Sequence, residues 1–317
     1  MQVMKPAFFA LILLATVRLS LADAPKPIDL DWKDSARNRA VPVRVYLPAD
    51  VKAAPVVIFS HGLGGSRQGY GFLGTYWAEH GYVAVHVQHV GSDTSVWKGA
   101  GLNAREKLTA AANPKELMER VSDVKFTLDQ LTALNKDPKS PLHGRLDLSH
   151  IAMAGHSYGA STTQALMGEI FPLNLSEGWA DSRITCAIVM SPSPPELRSR
   201  TDEAFGKIAM PVLYMTGTKD DSPIGDIKAA DRPLPYESSS PGDKYLIVFN
   251  DADHMVFAGA PRLRGELREI DKTDQPLIQK ATTAFLDAYL KGDTSGKTYL
   301  HDGFAKEAGK AATVQAK

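Results

Sequence analysis

The sequence predicts an α/β fold built on a mainly parallel, doubly wound sheet with helices on both faces and a small cap or none. Apolar, β-branched segments recur along the chain and are mostly continuous rather than alternating, as strands covered on both faces must be. Helical patterns lie between several of them, so strands and helices alternate as in βαβ units. A glycine-rich turn and a glycine-flanked serine each leave the end of one such strand. The right-handed crossover rule then places helices on both faces.

In order, the strand candidates are Val43 to Leu47, Pro55 to Ser60, Tyr82 to Val90, Ile151 to Ala154, Ile184 to Ser191, Val212 to Thr216 and Tyr245 to Asn250. Leu117, Val121, Val124, Leu128 and Leu131 fall at helical spacing and make one apolar stripe. A shorter helix is expected over Ala160 to Glu169, and a terminal one over Leu277 to Leu290 that packs through Phe285 and Tyr289. Pro192 to Ala209 and Ser222 to Asp243 are rich in proline, serine or charge and read as excursions from the sheet, where loops shape binding sites. The tail from Gly292 to Lys317, rich in Lys, Ala and Gly, is expected to be only partly ordered. No internal repeat and no low-complexity tract is present.

The chain has 317 residues, 44% hydrophobic and 23% charged, enough for one large core, and one domain is the expectation. Lys plus Arg equals Asp plus Glu at 36 each, so no net field draws in nucleic acid, anionic membrane or a highly charged substrate. Neutral or weakly polar small-molecule or polymeric substrates are favoured. Residues 1–22 have the layout of a secretory signal: Lys5, an apolar run from Ala7 to Val17, then small residues. Ser20-Leu21-Ala22 suits cleavage after Ala22, whereas a cut after Ala24 would meet Pro25. The run is shorter than the roughly 20 residues a membrane span needs, so a secreted or periplasmic chain without stable membrane insertion is expected, with residues 23–291 as one domain and 292–317 as the tail. The single cysteine, Cys186, sits in an apolar run and reads as a small buried hydrophobe, not a nucleophile.

Gly155-His156-Ser157-Tyr158-Gly159 follows the run Ile151 to Ala154 and precedes the expected helix. A serine on so sharp a strand-to-helix turn stands clear of the sheet, and flanking glycines let neighbouring backbone pass close by. The pattern alone is weak; its strand-turn-helix setting supports it. A hydroxyl needs a base to take its proton, and the base needs a third group to hold its tautomer. In this architecture acid and then histidine follow the serine at the ends of later strands. Asp220 follows Val212 to Thr216, with Asp221 as runner-up, and Asp226 and Asp251 as further acids. His254 follows Tyr245 to Asn250. His61 and His156 read as structural, His80, His143, His150 and His301 as solvated, and His86 and His89 as facing opposite ways on a strand and so unable to share a metal ion.

Attack on a carbonyl develops negative charge on oxygen and demands fixed donors. The segment from Phe59 to Gly65 leaves an early strand, and the N–H groups of Leu63 and Tyr158 are the expected oxyanion hole. It lacks the Gly-Lys-Ser/Thr ending of a phosphate-binding loop. Trp97, Trp179 and the loop from Pro192 to Ala209 are candidates to line an acyl pocket, with core or surface roles open for both tryptophans.

Phe59-Ser60-His61-Gly62-Leu63-Gly64-Gly65-Ser66-Arg67 together with Gly155-His156-Ser157-Tyr158-Gly159 resembles the α/β-hydrolase branch that contains platelet-activating factor acetylhydrolases and bacterial proteins labelled predicted dienelactone hydrolases. Gly91-Ser92-Asp93, the segment Thr216 to Pro223 and Asp251-Ala252-Asp253-His254 fit the same pattern, over roughly Val41 to Lys291. More distantly the chain is similar to cutinase-like polyester hydrolases. The resemblance implies the α/β-hydrolase fold and a cofactor-free, metal-free acyl hydrolase working through Ser157, Asp220 and His254. It departs from true dienelactone hydrolases, which use cysteine where this chain has Ser157. The expectation is a secreted serine carboxylic ester hydrolase acting on a neutral short-acyl, lipid-like or polyester substrate; an acyltransferase or a non-catalytic binding protein on the same scaffold is the alternative.

Overall fold

The computed structural model describes residues 26–49, 51–172, 178–259 and 267–317. The expected signal segment, 1–22, lies outside the described residues. In chain order the elements are β1 (Ile28–Asp34), β2 (Arg39–Tyr46), β3 (Ala54–Ser60), α1 (Gly71–Glu79), β4 (Val83–Val87), α2 (Ala104–Ala111), α3 (Pro114–Lys136), β5 (Leu146–His156), α4 (Tyr158–Met167), β6 (Ile184–Met190), α5 (Thr201–Phe205), β7 (Val212–Lys219), α6 (Leu234–Ser238), β8 (Lys244–Asp253), α7 (Glu269–Leu290), α8 (Thr294–Thr298), α9 (Phe304–Ala308) and β9 (Ala312–Ala316).

The strands form one sheet in the order β1-β2-β4-β3-β5-β6-β7-β8-β9. Strands β4 to β8 run parallel to their neighbours with β3 among them, while β1, β2 and β9 pair antiparallel at the two margins. This is the α/β-hydrolase arrangement the sequence predicts. The central strands are buried on both faces, which is why they read as unbroken apolar runs. Along β3, Val57 and Phe59 join one core and Val56 and Ile58 the other, the alternation of a strand between two helical layers. On the first side α1 and α7 cover the sheet, tied by Trp77 Nε1 donating to Thr282 Oγ1 at 3.1 Å. On the second side α3 buries Leu117, Val121, Val124, Leu128 and Leu131. Asn113 caps that helix by accepting from the Glu116 N–H, and Pro114 sits where a helix loses no bond to it.

The structure departs from the sequence reading at the margins. Strand β1 alternates exposed Asp29, Asp31 and Lys33 with half-buried residues, a charged edge that protects the sheet from pairing with another chain. Helix α4 starts at Tyr158 and ends at Met167, because Gly168 adopts a left-handed φ of 109° and lifts Glu169 out of the helix. Helix α7 begins at Glu269, before the expected Leu277, and runs through Pro276. The expectation of a partly ordered tail is corrected: Leu300 and Phe304 are fully buried, and β9 adds to the free edge of β8. Two large apolar anchors and five residues of strand pairing outweigh the tail's polar composition.

Order reversal between β4-β3 and β5 leaves a crevice beyond the carboxyl ends of β3 and β5, where open α/β sheets bind ligands. The turn after β3 carries Leu63, and the turn after β5 carries Ser157.

Candidate active site

Ser157 sits between β5 and α4 with φ 59° and ψ −118°, a backbone conformation that a non-glycine residue holds only under constraint. Close packing supplies the constraint. A Cβ on Gly155 would stand 2.2 Å from the Gly159 carbonyl oxygen, and one on Gly159 would stand 1.9 Å from that of Ser60. Both flanking glycines are therefore required for β3, β5 and α4 to meet.

His254 Nε2 lies 2.8 Å from Ser157 Oγ, and its Nδ1 lies 2.7 Å from Asp220 Oδ1. Asp220 is fully buried, and its second oxygen accepts from Thr216 Oγ1 at 2.8 Å. With Nδ1–H donating to the carboxylate, Nε2 faces the serine hydroxyl with its lone pair. His254 opens a short 3-10 helix, His254–Ala258, capped by Asp253, which accepts from the Met255 N–H at 3.0 Å. A Cβ on Gly217 would stand 2.2 Å from the Ala252 carbonyl, so the ends of β7 and β8 come together at a glycine and bring acid and imidazole into reach. The runner-up acid, Asp221, is exposed and turned outward to the Ala229 N–H and Lys228. Asp251 is likewise exposed and pairs with Lys219.

The turn after β3 packs against the serine. A Cβ on Gly62 would sit 3.3 Å from Ser157 Cβ, and the Gly62 N–H donates to Tyr70 Oη at 3.1 Å. Gly64 and Gly65 are held to the strand-like segment Ser92 to Thr94 by backbone bonds. Among the described residues neither the Leu63 nor the Tyr158 N–H has a hydrogen-bond partner; Tyr158 begins α4, where the first N–H groups of a helix are left open. His61 serves the turn: its Nδ1–H donates to the Gly62 carbonyl, and its Nε2 accepts from the His89 N–H. Burial holds the His61 and His156 rings well below the usual imidazole range, so both are neutral scaffolding. His156 accepts from or donates to Tyr70 Oη at 2.8 Å, and its ring lies tilted with its centroid 4.6 Å from that of His254. His86 and His89 point apart, His86 to the Gly69 carbonyl and His89 between Ser60 and Asp123. His80, His143, His150 and His301 are exposed. Cys186 is buried in β6, which pushes its thiol well up from the usual range.

Two buried arginines brace this arrangement and had no sequence signal. Arg120, from α3, reaches the His61 carbonyl, Ser92 Oγ at 3.0 Å and Thr162 Oγ1 at 2.9 Å, and lies 4.7 Å over the Tyr158 ring. It fastens both expected oxyanion donors to one helix. Arg232 donates to the carbonyls of Ser191, Pro192 and Asp220, and its Nη2 stands 3.5 Å from Asp220 Oδ1. Neither is marked by a motif; Arg232 lies in the proline-rich excursion after β7, whose contacts only the fold decides. Of the two tryptophans, Trp97 is partly exposed and donates to the Gly64 carbonyl at 2.8 Å, bracing the turn, while Trp179 lines a cavity beside α4.

The family model described as platelet-activating factor acetylhydrolase, isoform II, matches residues 42–222. That span includes Leu63, Ser157, Tyr158 and Asp220 and ends before His254. Platelet-activating factor acetylhydrolase of Cavia porcellus is 24% identical over 269 residues, covering 74% of this chain and 57% of its own length. The protein of the same name from Bos taurus is 24% identical over 274 residues, with the same two coverages. The chain thus spans a little over half the length of these relatives.

Proposed function

Since the chain belongs to the platelet-activating factor acetylhydrolase, isoform II, family, we propose that it is a serine carboxylic ester hydrolase acting on neutral, lipid-like esters through an acyl-enzyme. The observation that carries this reading is the hydrogen-bonded line Ser157–His254–Asp220 at 2.8 and 2.7 Å. His254 takes the proton of Ser157 as Oγ attacks the ester carbonyl. The oxyanion of the tetrahedral intermediate is held by the N–H groups of Leu63 and Tyr158, and Asp220 stabilises the imidazolium. Collapse breaks the C–O bond to the alcohol, which leaves with the proton from His254. Water, deprotonated by the same imidazole, then releases the acid and restores Ser157. Every group this sequence of steps needs belongs to the chain, and no step calls for a metal or cofactor.

Residues 23–291 carry the catalytic groups in this reading, with 292–317 packed onto them as an ordered extension, and the signal-like residues 1–22 direct export to the periplasm or medium. Ser157→Ala is expected to lower turnover of p-nitrophenyl acetate by at least about 10³-fold while circular dichroism and thermal unfolding stay as in the wild type. Labelling by a fluorophosphonate probe should be lost with it. Turnover close to the wild-type rate in Ser157→Ala would remove Ser157 from the mechanism, and a wild-type chain that takes neither ester nor probe would turn the reading to a binding protein on this scaffold.

A further inference from the structure

A cavity of about 600 Å³ opens beside the first turn of α4. Tyr158 and Ser161 form its wall nearest the nucleophile, and the segment from Ser193 to Leu197, which continues from the end of β6, forms the facing wall. The Ser157 N–H bonds to the Met190 carbonyl at the end of that same strand, so both walls begin at the serine. Leu117, Ile170 and Trp179 add to its apolar lining. The buried polar groups here are already committed to one another: Gln164 exchanges two bonds with the Ser193 backbone and donates to Glu169 Oε2 at 3.4 Å. Burial raises the Glu169 carboxyl well above the usual range, and of the other charged lining residues Lys115 and Glu196 are exposed and Arg200 is paired with Glu203. The volume is that of a site for a sizeable organic ligand, and the rim residues Met118 and Leu197 are exposed apolar side chains at its entrance.

We propose that this cavity seats an unbranched aliphatic tail of medium length, carried by the ester whose carbonyl is attacked by Ser157. The inference rests on the ester-hydrolase reading for the word ester, and on the cavity alone for the tail. Its position one helical turn from Ser157 is what links tail and reaction, and its apolar lining is what selects a hydrocarbon over a head group. Burying each added methylene should raise kcat/KM by about fourfold until the cavity is full.

The test has two substrate series and one binding measurement. p-Nitrophenyl acetate, butanoate, hexanoate and octanoate lengthen the acyl side; ethyl, butyl, hexyl and octyl acetate lengthen the alcohol side. The wild-type protein should gain about fourfold per methylene in one series, and Leu197→Asp and Ser161→Phe should flatten that series. Independently, decanol, which has no ester to cleave, should change the tryptophan emission in a saturable way that Trp179→Phe removes. A series that is flat on both sides, or a gain that both variants leave as steep as in the wild type, overturns the proposal even if acetate esters are turned over. Absence of all ester turnover sinks the hydrolase reading instead; the decanol titration then decides the cavity by itself, saturable binding through Trp179 upholding the tail site and no binding rejecting it.

Discussion

Arg232 is buried at the carboxyl ends of β6 and β7, and its guanidinium spends its donors on three backbone carbonyls and on the oxygen of Asp220 that faces His254. Three carbonyls ending two different strands would otherwise lie unpaired next to a buried carboxylate. Such a group acts through position, since it touches neither Ser157 nor the site of attack. Arg232→Met should lower the unfolding free energy by about 3 kcal/mol or more in urea titrations, the usual cost of leaving a buried charge and its acceptors without a partner. It should also lower kcat about 10- to 100-fold with a much smaller change in KM, because Asp220 and His254 lose their fixed register. Arg232→Lys keeps the charge without the fork and should recover part of kcat; equal losses in the Lys and Met variants would assign the role to geometry alone. Ser157 is the complementary case, a strained residue whose cost is met by the packing of Gly155 and Gly159 rather than by its own contacts.

At the scale of elements, the last 26 residues change the account most. Composition marks them as loose, yet α8, α9 and β9 complete the core above α7 and close one edge of the sheet. Phe304 meets Phe249 of β8 at 6.3 Å between ring centroids and Tyr299 at 6.2 Å, both near perpendicular. Phe304→Ala should therefore cost about 3–5 kcal/mol by chemical denaturation, where a loose tail would show no change. Strand β9 is short, and its Ala, Thr and Gln carry little apolar signal; pairing with β8 supplies what the side chains lack. Strand β1 escapes a search for continuous apolar runs for the opposite reason, because an edge strand needs only one buried face. Helix α1 holds two glycines and several aromatics, a poor local helix former stabilised by packing on α7.

At the scale of the whole molecule, a buried electrostatic conflict in α7 should show in the pH dependence of stability. Asp274 of α7 is fully buried, neither carboxylate oxygen has a hydrogen-bond partner among the described residues, and burial, reinforced by nearby Asp271, raises its carboxyl to about 7. An acid whose pKa is higher in the folded than in the unfolded chain binds its proton more tightly when folded. Its contribution is complete below the unfolded value near 3.8 and declines as pH rises toward 7, above which the folded state carries an unpaired buried charge. Asp274→Asn should thus raise stability by about 1–2 kcal/mol above pH 7 and leave it little changed near pH 4, as read from thermal unfolding across that range; the same gain at both pH values would reject the titration as its cause. The contrast between Asp274 and Ser157 also marks what was legible in advance. The sequence by itself determined the central parallel strands, because buried strands must be continuously apolar, and it put Leu63, Ser157, His254 and a choice of acids, Asp220 or Asp221, on the turns at strand ends. Only the tertiary structure decided that Asp220 rather than Asp221 faces His254, that Arg120 and Arg232 brace the site, and that a cavity opens beside α4. Those outcomes depend on which distant side chains the fold brings within a few ångströms, and no local periodicity or spacing encodes that.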